Sequence, residues 1–391
     1  MKILIAGGGI GGLTCAASLL QDGFDAEVFE QATQLGEVGA GIQISANASR
    51  VYRSIGVLDR VVEAGASPDG YRFRMFDNGE VLQTIPLGQT YIDNHGVPYT
   101  TIHRADLLDI LVKRVRELSP DCIHLGKRLV HFVETNDGVT LHFEDGSSAT
   151  GDVLVGADGI KSKVRGQVLG VTPATYMGDA SWRVIVPMAS LPQEHRSNTV
   201  DIWVGPGRHS VTYPLRGGKL LNMAACVEYD QWEDESWVTP KPWTDLFNDF
   251  KDWHPTIRAV IDAADRDECY RWAMLNRPPV DNWSTERVTL IGDAAHPTLP
   301  YMAQGAAMAV EDAAVMARAL RERTTVPEAV RSYQASRIGR TTRIVNESSA
   351  NRELFHIGDR EALKNAFGKR DMNRERNAWL FSYDPMTEPL A

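Results

Sequence analysis

The pattern of apolar and polar positions divides the 391-residue chain into a few recognisable units. It opens "MKILIAGGGIGGLTCAASLLQDGFDAEVFE", where an apolar strand runs into five glycines, resumes as a helix with apolar periodicity, and ends on a second strand closed by an acid. Further on, Val139, Leu141 and Phe143 alternate between turns at "NDG" and "EDGS", which predicts successive strands. "DVLVGADG" is another apolar strand, ending on Asp158-Gly159. From about Ala174 to Asn276, "DIWVG", "HSVTYPL" and "KLLNMAACVEY" predict an inserted antiparallel sheet, with a helix around "WTDLFNDFKDWHPTIRAVIDAA". The chain returns through "RVTLIGDAAH", a third apolar strand stopping at Gly292-Asp293, to the helix "AAMAVEDAAVMARALRER". From about Pro327 onward the pattern is helical. There "YQASRIGRTTRIVNESSANRELF" is too polar for a buried core and is expected on the surface or against a second subunit.

The opening glycines carry chemistry. They fall as Gly7-x-Gly9-x-x-Gly12: the first permits a tight turn, the second lets backbone approach a pyrophosphate, and the third lets helix pack on strand. The helix start offers free N–H groups to phosphates. Glu30 closes the second strand, where a carboxylate accepts from ribose hydroxyls and disfavours a 2′-phosphate, so FAD or NAD is expected rather than NADP.

Composition narrows the partners. A content of 43% hydrophobic and 24% charged residues is ordinary for a soluble globular protein, and a net charge of −10 argues against nucleic acid or an anionic membrane as the main partner. Cys15, Cys122, Cys226 and Cys269 lack metal or CxxC spacing, so reduced thiols in a cytoplasmic protein are expected, with no metal. The core strand begins at once, so no signal peptide is expected, and no apolar run approaches the roughly 18 residues of a membrane span.

Three apolar strands thus end in nucleotide-friendly turns, "AGGGIGG", "GADG" and "GDAAH". Their order and spacing resemble the FAD-dependent aromatic hydroxylases, the class A flavoprotein monooxygenases, over roughly residues 1–320. Within that family the chain is similar to the salicylate, 3-hydroxybenzoate and 6-hydroxynicotinate hydroxylase group. The resemblance implies an α/β fold: a Rossmann-like FAD-binding domain interleaved with an antiparallel β-sheet substrate domain, then C-terminal helices. The expected boundaries are 1–173 for the FAD-binding domain, with substrate-domain strands interleaved at about 68–103; 174–276 for the substrate domain; 277–326 for the return; and 327–391 for the helical region.

The same resemblance assigns site residues. Gly7, Gly9, Gly12 and Glu30 would hold the ADP half of FAD, and Arg104 of "HRADL" the phosphate or ribityl region. Leu129 of "GKRL" would offer backbone near the adenine, Asp158 would support the site, Asp293 would bind the ribityl or pyrophosphate part, and Gly305 and Ala306 would present N–H groups to the isoalloxazine, with Gln43 alongside. Paired N–H groups at a helix start stabilise negative charge on a reduced flavin whatever the family. No second nucleotide-binding unit occurs, which fits NADH or NADPH as a transient donor, NADH being favoured by resemblance to catabolic members. The implied reaction is reduction of FAD, addition of O2 to give a flavin hydroperoxide, and attack on an electron-rich ring, with or without decarboxylation.

For the ring itself, "GRHSVTYPL" places His209, Val211 and Tyr213 on one face of a strand, with His209 and Tyr213 about 13 Å apart at roughly 3.3 Å per residue. A histidine accepts a phenolic proton near neutrality and a tyrosine bonds a ring substituent, and the same spacing resembles a His/Tyr pair of the 3-hydroxybenzoate and 6-hydroxynicotinate hydroxylases, a resemblance that makes this pair the expected catalytic and substrate-binding couple. Gln43, Tyr99 and Tyr301 complete the expected pocket. Of Arg183, Arg208 and Arg216, each suited to attract a carboxylate, at least two are expected on the surface. Gln43 and Tyr301 stand where the 6-hydroxynicotinate branch carries histidines, while "YPLRGGKLLN" leans towards the hydroxybenzoate and salicylate branches. The favoured substrate is a small phenolic or hydroxypyridine carboxylic acid. The rivals are a larger aromatic natural product and a non-catalytic flavin-binding protein. The family implies a homodimer.

Overall fold

The computed structural model describes residues 1–36, 41–230 and 241–391. Two sheets dominate. The first is parallel, in the order Val288–Leu290, Val153–Gly156, Lys2–Ala6, Asp25–Phe29, Ile123–His124. Lys2–Ala6, Val153–Gly156 and Val288–Leu290 are almost wholly buried, which is why they read as continuous apolar runs rather than alternating ones. The three turns expected to meet a nucleotide follow its three neighbouring strands, so they emerge side by side at one edge. A small antiparallel sheet, Leu129–Glu134, Val139–Phe143 and Ser148–Gly151, flanks it.

The second large sheet has seven strands, in the order Tyr270–Asn276, Thr175–Pro187, Leu220–Glu228, Arg208–Leu215, Thr199–Gly205, Gly70–Met75, Val81–Pro86. The last two come from the first hundred residues, and Gly70–Met75 pairs in parallel with Thr199–Gly205. Thr100–His103 lies elsewhere, paired with Gly41–Ile44. The period of two divides the faces: Trp182, Val184, Val186, Leu221, Met223, Ala225 and Val227 pack in a core with helices Trp243–Phe250 and Pro255–Asp262. The opposite face is left to the cavity described below.

Two expectations are corrected. The single helix expected over residues 243–264 is two, because Pro255 cannot continue a helix and begins a new one, capped by the His254 side chain accepting from the Thr256 N–H. The polar segment after Pro327 is not confined to the surface. Thr325 and Glu328 form a capping box that starts a helix, Val326–Phe355, whose inner face buries Tyr333, Arg337, Thr341, Ile344, Val345, Ser348 and Phe355. Burial is tolerated because the charges are paired. Arg337, fully buried, donates to Asp312 Oδ1 and Glu311 Oε2 at 2.6 Å each, and Arg340 adds bonds to both oxygens of Glu311 at 2.7 and 2.8 Å. Replacing Arg337 by Met leaves buried Asp312 without its guanidinium and Glu311 with Arg340 as its one remaining arginine, so Arg337→Met is expected to lose about 3–5 kcal/mol of unfolding free energy. Arg343→Met, which breaks an exposed pair with Glu347, is expected to lose less than about 1 kcal/mol. Urea unfolding of both variants checks the contrast.

Candidate active site

The glycine loop is shaped by close approach. A Cβ at Gly12 would sit 2.0 Å from the Gly7 carbonyl oxygen, and one at Gly7, whose φ is +114°, would sit 2.3 Å from that of Ala157. At Gly9 a Cβ would meet nothing within 4 Å, because that position faces open space. Glu30 is oriented by the loop itself: Oε2 accepts from the Gly8 N–H at 2.7 Å and Oε1 from the Ala32 N–H at 2.8 Å.

Two cavities meet at Gly9, Ala157 and Gly159. One runs along Glu30, Gln31, Leu129 and Asp158; the other passes Arg104 and Asp293 to Gly305 and Ala306. Asp158 spends its carboxylate on capping the helix Lys163–Leu169, accepting from the N–H groups of Lys163 at 2.7 Å and Val164 at 3.2 Å. Asp293 is exposed to the cavity yet surrounded by protein, so desolvation raises its pKa against the pull of His296 and Arg104. Burial likewise lowers the pKa of Arg104, with Asp293 opposing. Gly305 and Ala306 begin the helix Gly305–Glu322, so the positive end of its dipole and its free N–H groups lie at the cavity wall. Two adjoining cavities with Gly9 and Gly159 where they meet, Glu30 beside one and a helix start beside the other, fit an extended dinucleotide.

The second cavity, about 360 Å³, reaches the open face of the seven-stranded sheet. His209, Val211 and Tyr213 all line it, as the alternation along Arg208–Leu215 requires, together with Arg183, Ala224, Cys226 and Trp272 from neighbouring strands. Gln43 lines it from the short strand Gly41–Ile44. Tyr99 and Tyr301, expected in the pocket wall, stand one row behind. Tyr99 donates to Gln43 Oε1 at 2.7 Å, leaving the Gln43 NH2 group for the cavity, and Tyr301 donates to Asp179 Oδ2 at 2.6 Å while its ring lies 4.8 Å from that of His209. The arginines separate: Arg183 lines the cavity, Arg208 donates to the Asp249 carbonyl, and Arg216 pairs with Asp106.

Burial pushes the His209 imidazole well below the ordinary histidine range, with His356 and Arg183 acting in the same direction, so the ring is neutral at neutral pH. Burial raises the Tyr213 hydroxyl, against the pull of Arg183, so it stays protonated. The site thus offers a lone-pair base, a hydroxyl and a guanidinium in one wall.

The profile of the FAD binding domain family matches residues 1–348. The chain belongs to the FAD-binding-domain family. It is 36% identical over 390 residues to the 3-hydroxybenzoate 6-hydroxylase of Polaromonas naphthalenivorans (strain CJ2), covering 98% of this chain and 96% of that one. It is 33% identical over 395 residues to the 6-hydroxynicotinate 3-monooxygenase of Pseudomonas fluorescens, covering 100% and 96%. The crystal structure of Klebsiella pneumoniae HpxO with FAD and uric acid superposes with a TM-score of 0.86 at 29% identity, over 98% and 96% of the two chains. The fold class and the resemblance drawn from the three turns therefore hold, and this flavoprotein is an FAD-dependent aromatic-ring monooxygenase.

In this flavoprotein, sequence reasoning passed over Trp272, His356 and Glu228. Nε2 of His356 lies 2.9 Å from His209 Nδ1, and its own Nδ1 lies 2.8 Å from Glu228 Oε1. No local signal marks His356, which follows a long polar helix 147 residues beyond His209. Glu228 was legible in principle, since it shares the strand face of Ala224 and Cys226. Because a side chain at Gly9 meets only open space, Gly9→Val is expected to purify folded but depleted of FAD. Gly12→Ala is expected not to fold, given the 2.0 Å approach to the Gly7 carbonyl. Visible absorbance and circular dichroism distinguish the two.

Proposed function

We propose that this hydroxylase acts on a small phenolic or hydroxypyridine carboxylic acid, with a reduced nicotinamide nucleotide and O2 as co-substrates. The observation that carries the reading is the shared wall of His209, Tyr213 and Arg183. It matches a hydroxyl to be ionised, a ring substituent and a carboxylate. Two relatives that are similar along their whole length are named for ring acids of this kind.

The loop Gly7–Gly12, Glu30 and the Leu129 backbone would hold the ADP half of FAD, with Arg104, Asp293, Gly305 and Ala306 along the remainder and Gln43 beside the ring system. Bound FAD supplies the electron transfer from the nicotinamide nucleotide and the activation of oxygen. The chain's own work is narrower. His209 Nε2, which has no partner among the described residues, accepts the substrate hydroxyl proton and enriches the ring in electrons. The Tyr213 hydroxyl donates to the substrate from a ring packed on Gly41, where a Cβ would sit 2.5 Å from it. Arg183 meets the carboxylate. Its Nε is buried without a hydrogen-bond partner among the described residues, and its guanidinium lies 5.3 Å over the Trp272 ring, so an anion completes it.

His209→Asn is expected to slow hydroxylation by about 10²-fold or more while FAD stays bound, read as product formed per NADH oxidised across a panel of hydroxybenzoates and hydroxypyridine acids. Arg183→Gln is expected to raise KM for the acid about tenfold or more and to leave a substrate lacking the carboxylate unaffected. The parent rate in the first variant, or equal losses for both substrates in the second, contradicts the assignment concerned. Because burial holds His209 protonation below the ordinary histidine range, its base form survives acidification. The acid limb of kcat against pH is therefore expected below about 6.5.

A further inference from the structure

His209 is one end of a chain of hydrogen bonds that leaves the cavity. Its Nδ1 meets His356 Nε2 at 2.9 Å, and His356 Nδ1 meets Glu228 Oε1 at 2.8 Å. The two imidazoles are buried, at 2% and 8% exposure, whereas the Glu228 side chain is 43% exposed. The path therefore begins at the cavity wall and ends in solvent. Backbone bonds fix its shape: the Gly207 N–H donates to the His356 carbonyl at 3.2 Å and the Glu228 N–H to the Gly207 carbonyl at 3.0 Å.

The acid sets the direction of every bond. An ionised Glu228 only accepts, so His356 carries its proton on Nδ1 and keeps a lone pair on Nε2. That lone pair accepts from His209 Nδ1–H, which leaves the lone pair of His209 on Nε2. Burial, the largest influence on both rings, favours their neutral forms and so this single pattern. Asp179, Glu228 and His356 also bring ligand atoms within 4.8 Å of one another, a spacing open to a metal ion. A cation is already in place. Arg352 donates to both oxygens of Asp179, at 2.5 and 2.9 Å, and lies 3.3 Å from Glu228.

We propose that His356 and Glu228 are a proton relay, conducting to solvent the proton that His209 removes from the substrate hydroxyl. The relay rests on the reading of His209 as the base. One proton enters at His209 Nε2, one passes from its Nδ1 to His356 Nε2, and one passes from His356 Nδ1 to Glu228 and on to water. No bond between heavy atoms changes, and the three transfers reverse when the product oxygen is reprotonated. The charged and titratable groups facing the path are Arg183 and Asp179 on one strand, Cys226 on the next, Tyr301, and Arg352 on the long helix. Burial keeps the Cys226 thiol, at about 11, and the Tyr301 hydroxyl protonated, so neither competes for the proton near neutrality, and both oxygens of Asp179 are held by Arg352.

The test uses Glu228→Gln and His356→Gln in the FAD-loaded protein. Each amide preserves an acceptor where one is needed and neither conducts a proton. Stopped-flow absorbance follows ionisation of 3-hydroxybenzoate, 3-amino-4-hydroxybenzoate or 6-hydroxynicotinate on binding. Both variants are expected to ionise the ligand about tenfold or more slowly at pH 7, with substrate Kd and FAD content within about twofold of the parent. The deficit is expected to shrink as pH rises, because ligand already ionised in solution needs no relay. Parent rates in both variants overturn the relay, and so does a deficit that is equal at every pH, the mark of a purely structural role. A wild type that ionises and oxidises none of the three ligands removes the base and the relay together, whereas wild-type ionisation with unimpaired variants removes the relay alone.

Discussion

A guanidinium with no exposure holds the nucleotide side of this protein together. Arg337 lies between Glu311 and Asp312, each of which is also engaged elsewhere: Glu311 accepts from Asn47 Nδ2, and Asp312 accepts from the Gly292 N–H at 2.9 Å and lies 2.6 Å from His296 Nε2. Removing charges from water is costly, and the cost is offset here only because every carboxylate oxygen finds a donor. The arrangement couples three parts of the chain. The turn bearing Asp293, the helix that starts at Gly305, and the long C-terminal helix keep their relative positions through one buried cluster.

The substrate side is organised by a different constraint, the two-residue period of the seven-stranded sheet. One face is apolar and closed by two helices, which frees the other to carry Arg183, His209, Tyr213 and Trp272 into the cavity. These polar groups are supported from behind: Tyr99 orients Gln43, His356 orients His209, and Gly41 leaves room for the Tyr213 ring. Gln43, His209 and Tyr213 are thus held in place by protein contacts alone, the condition for positioning a ring against a cofactor. The same burial that makes His209 a neutral base keeps the buried cysteines inert, with the Cys15 thiol pushed up to about 12.

Much of this was legible in the amino-acid order, because it depends on near neighbours. The strand, glycine loop, helix and acid of residues 1–30 form one local unit, and its glycines are dictated by contacts with adjacent backbone. The alternation that sends His209, Val211 and Tyr213 to one face needs only an extended strand. The turns at Asp158 and Asp293 needed only the apolar runs before them. Which strands would be neighbours was beyond local pattern, yet the order of three similar turns was enough to identify the family.

The tertiary structure alone decided what depends on partners distant in the chain. The helix Val326–Phe355 is polar, and carboxylates of another helix pair the arginines that its inner face buries. Tyr99 and Tyr301 have the same composition-level claim to the pocket as Tyr213, but chain crossings place them behind it. Arg183 reaches the cavity while Arg208 and Arg216 meet other partners, a choice made by sheet pairing. His356 touches His209 across 147 residues. Local periodicity sets which way a side chain points, but what it meets there, and hence its charge and its chemistry, is set by elements that arrive from elsewhere in the sequence.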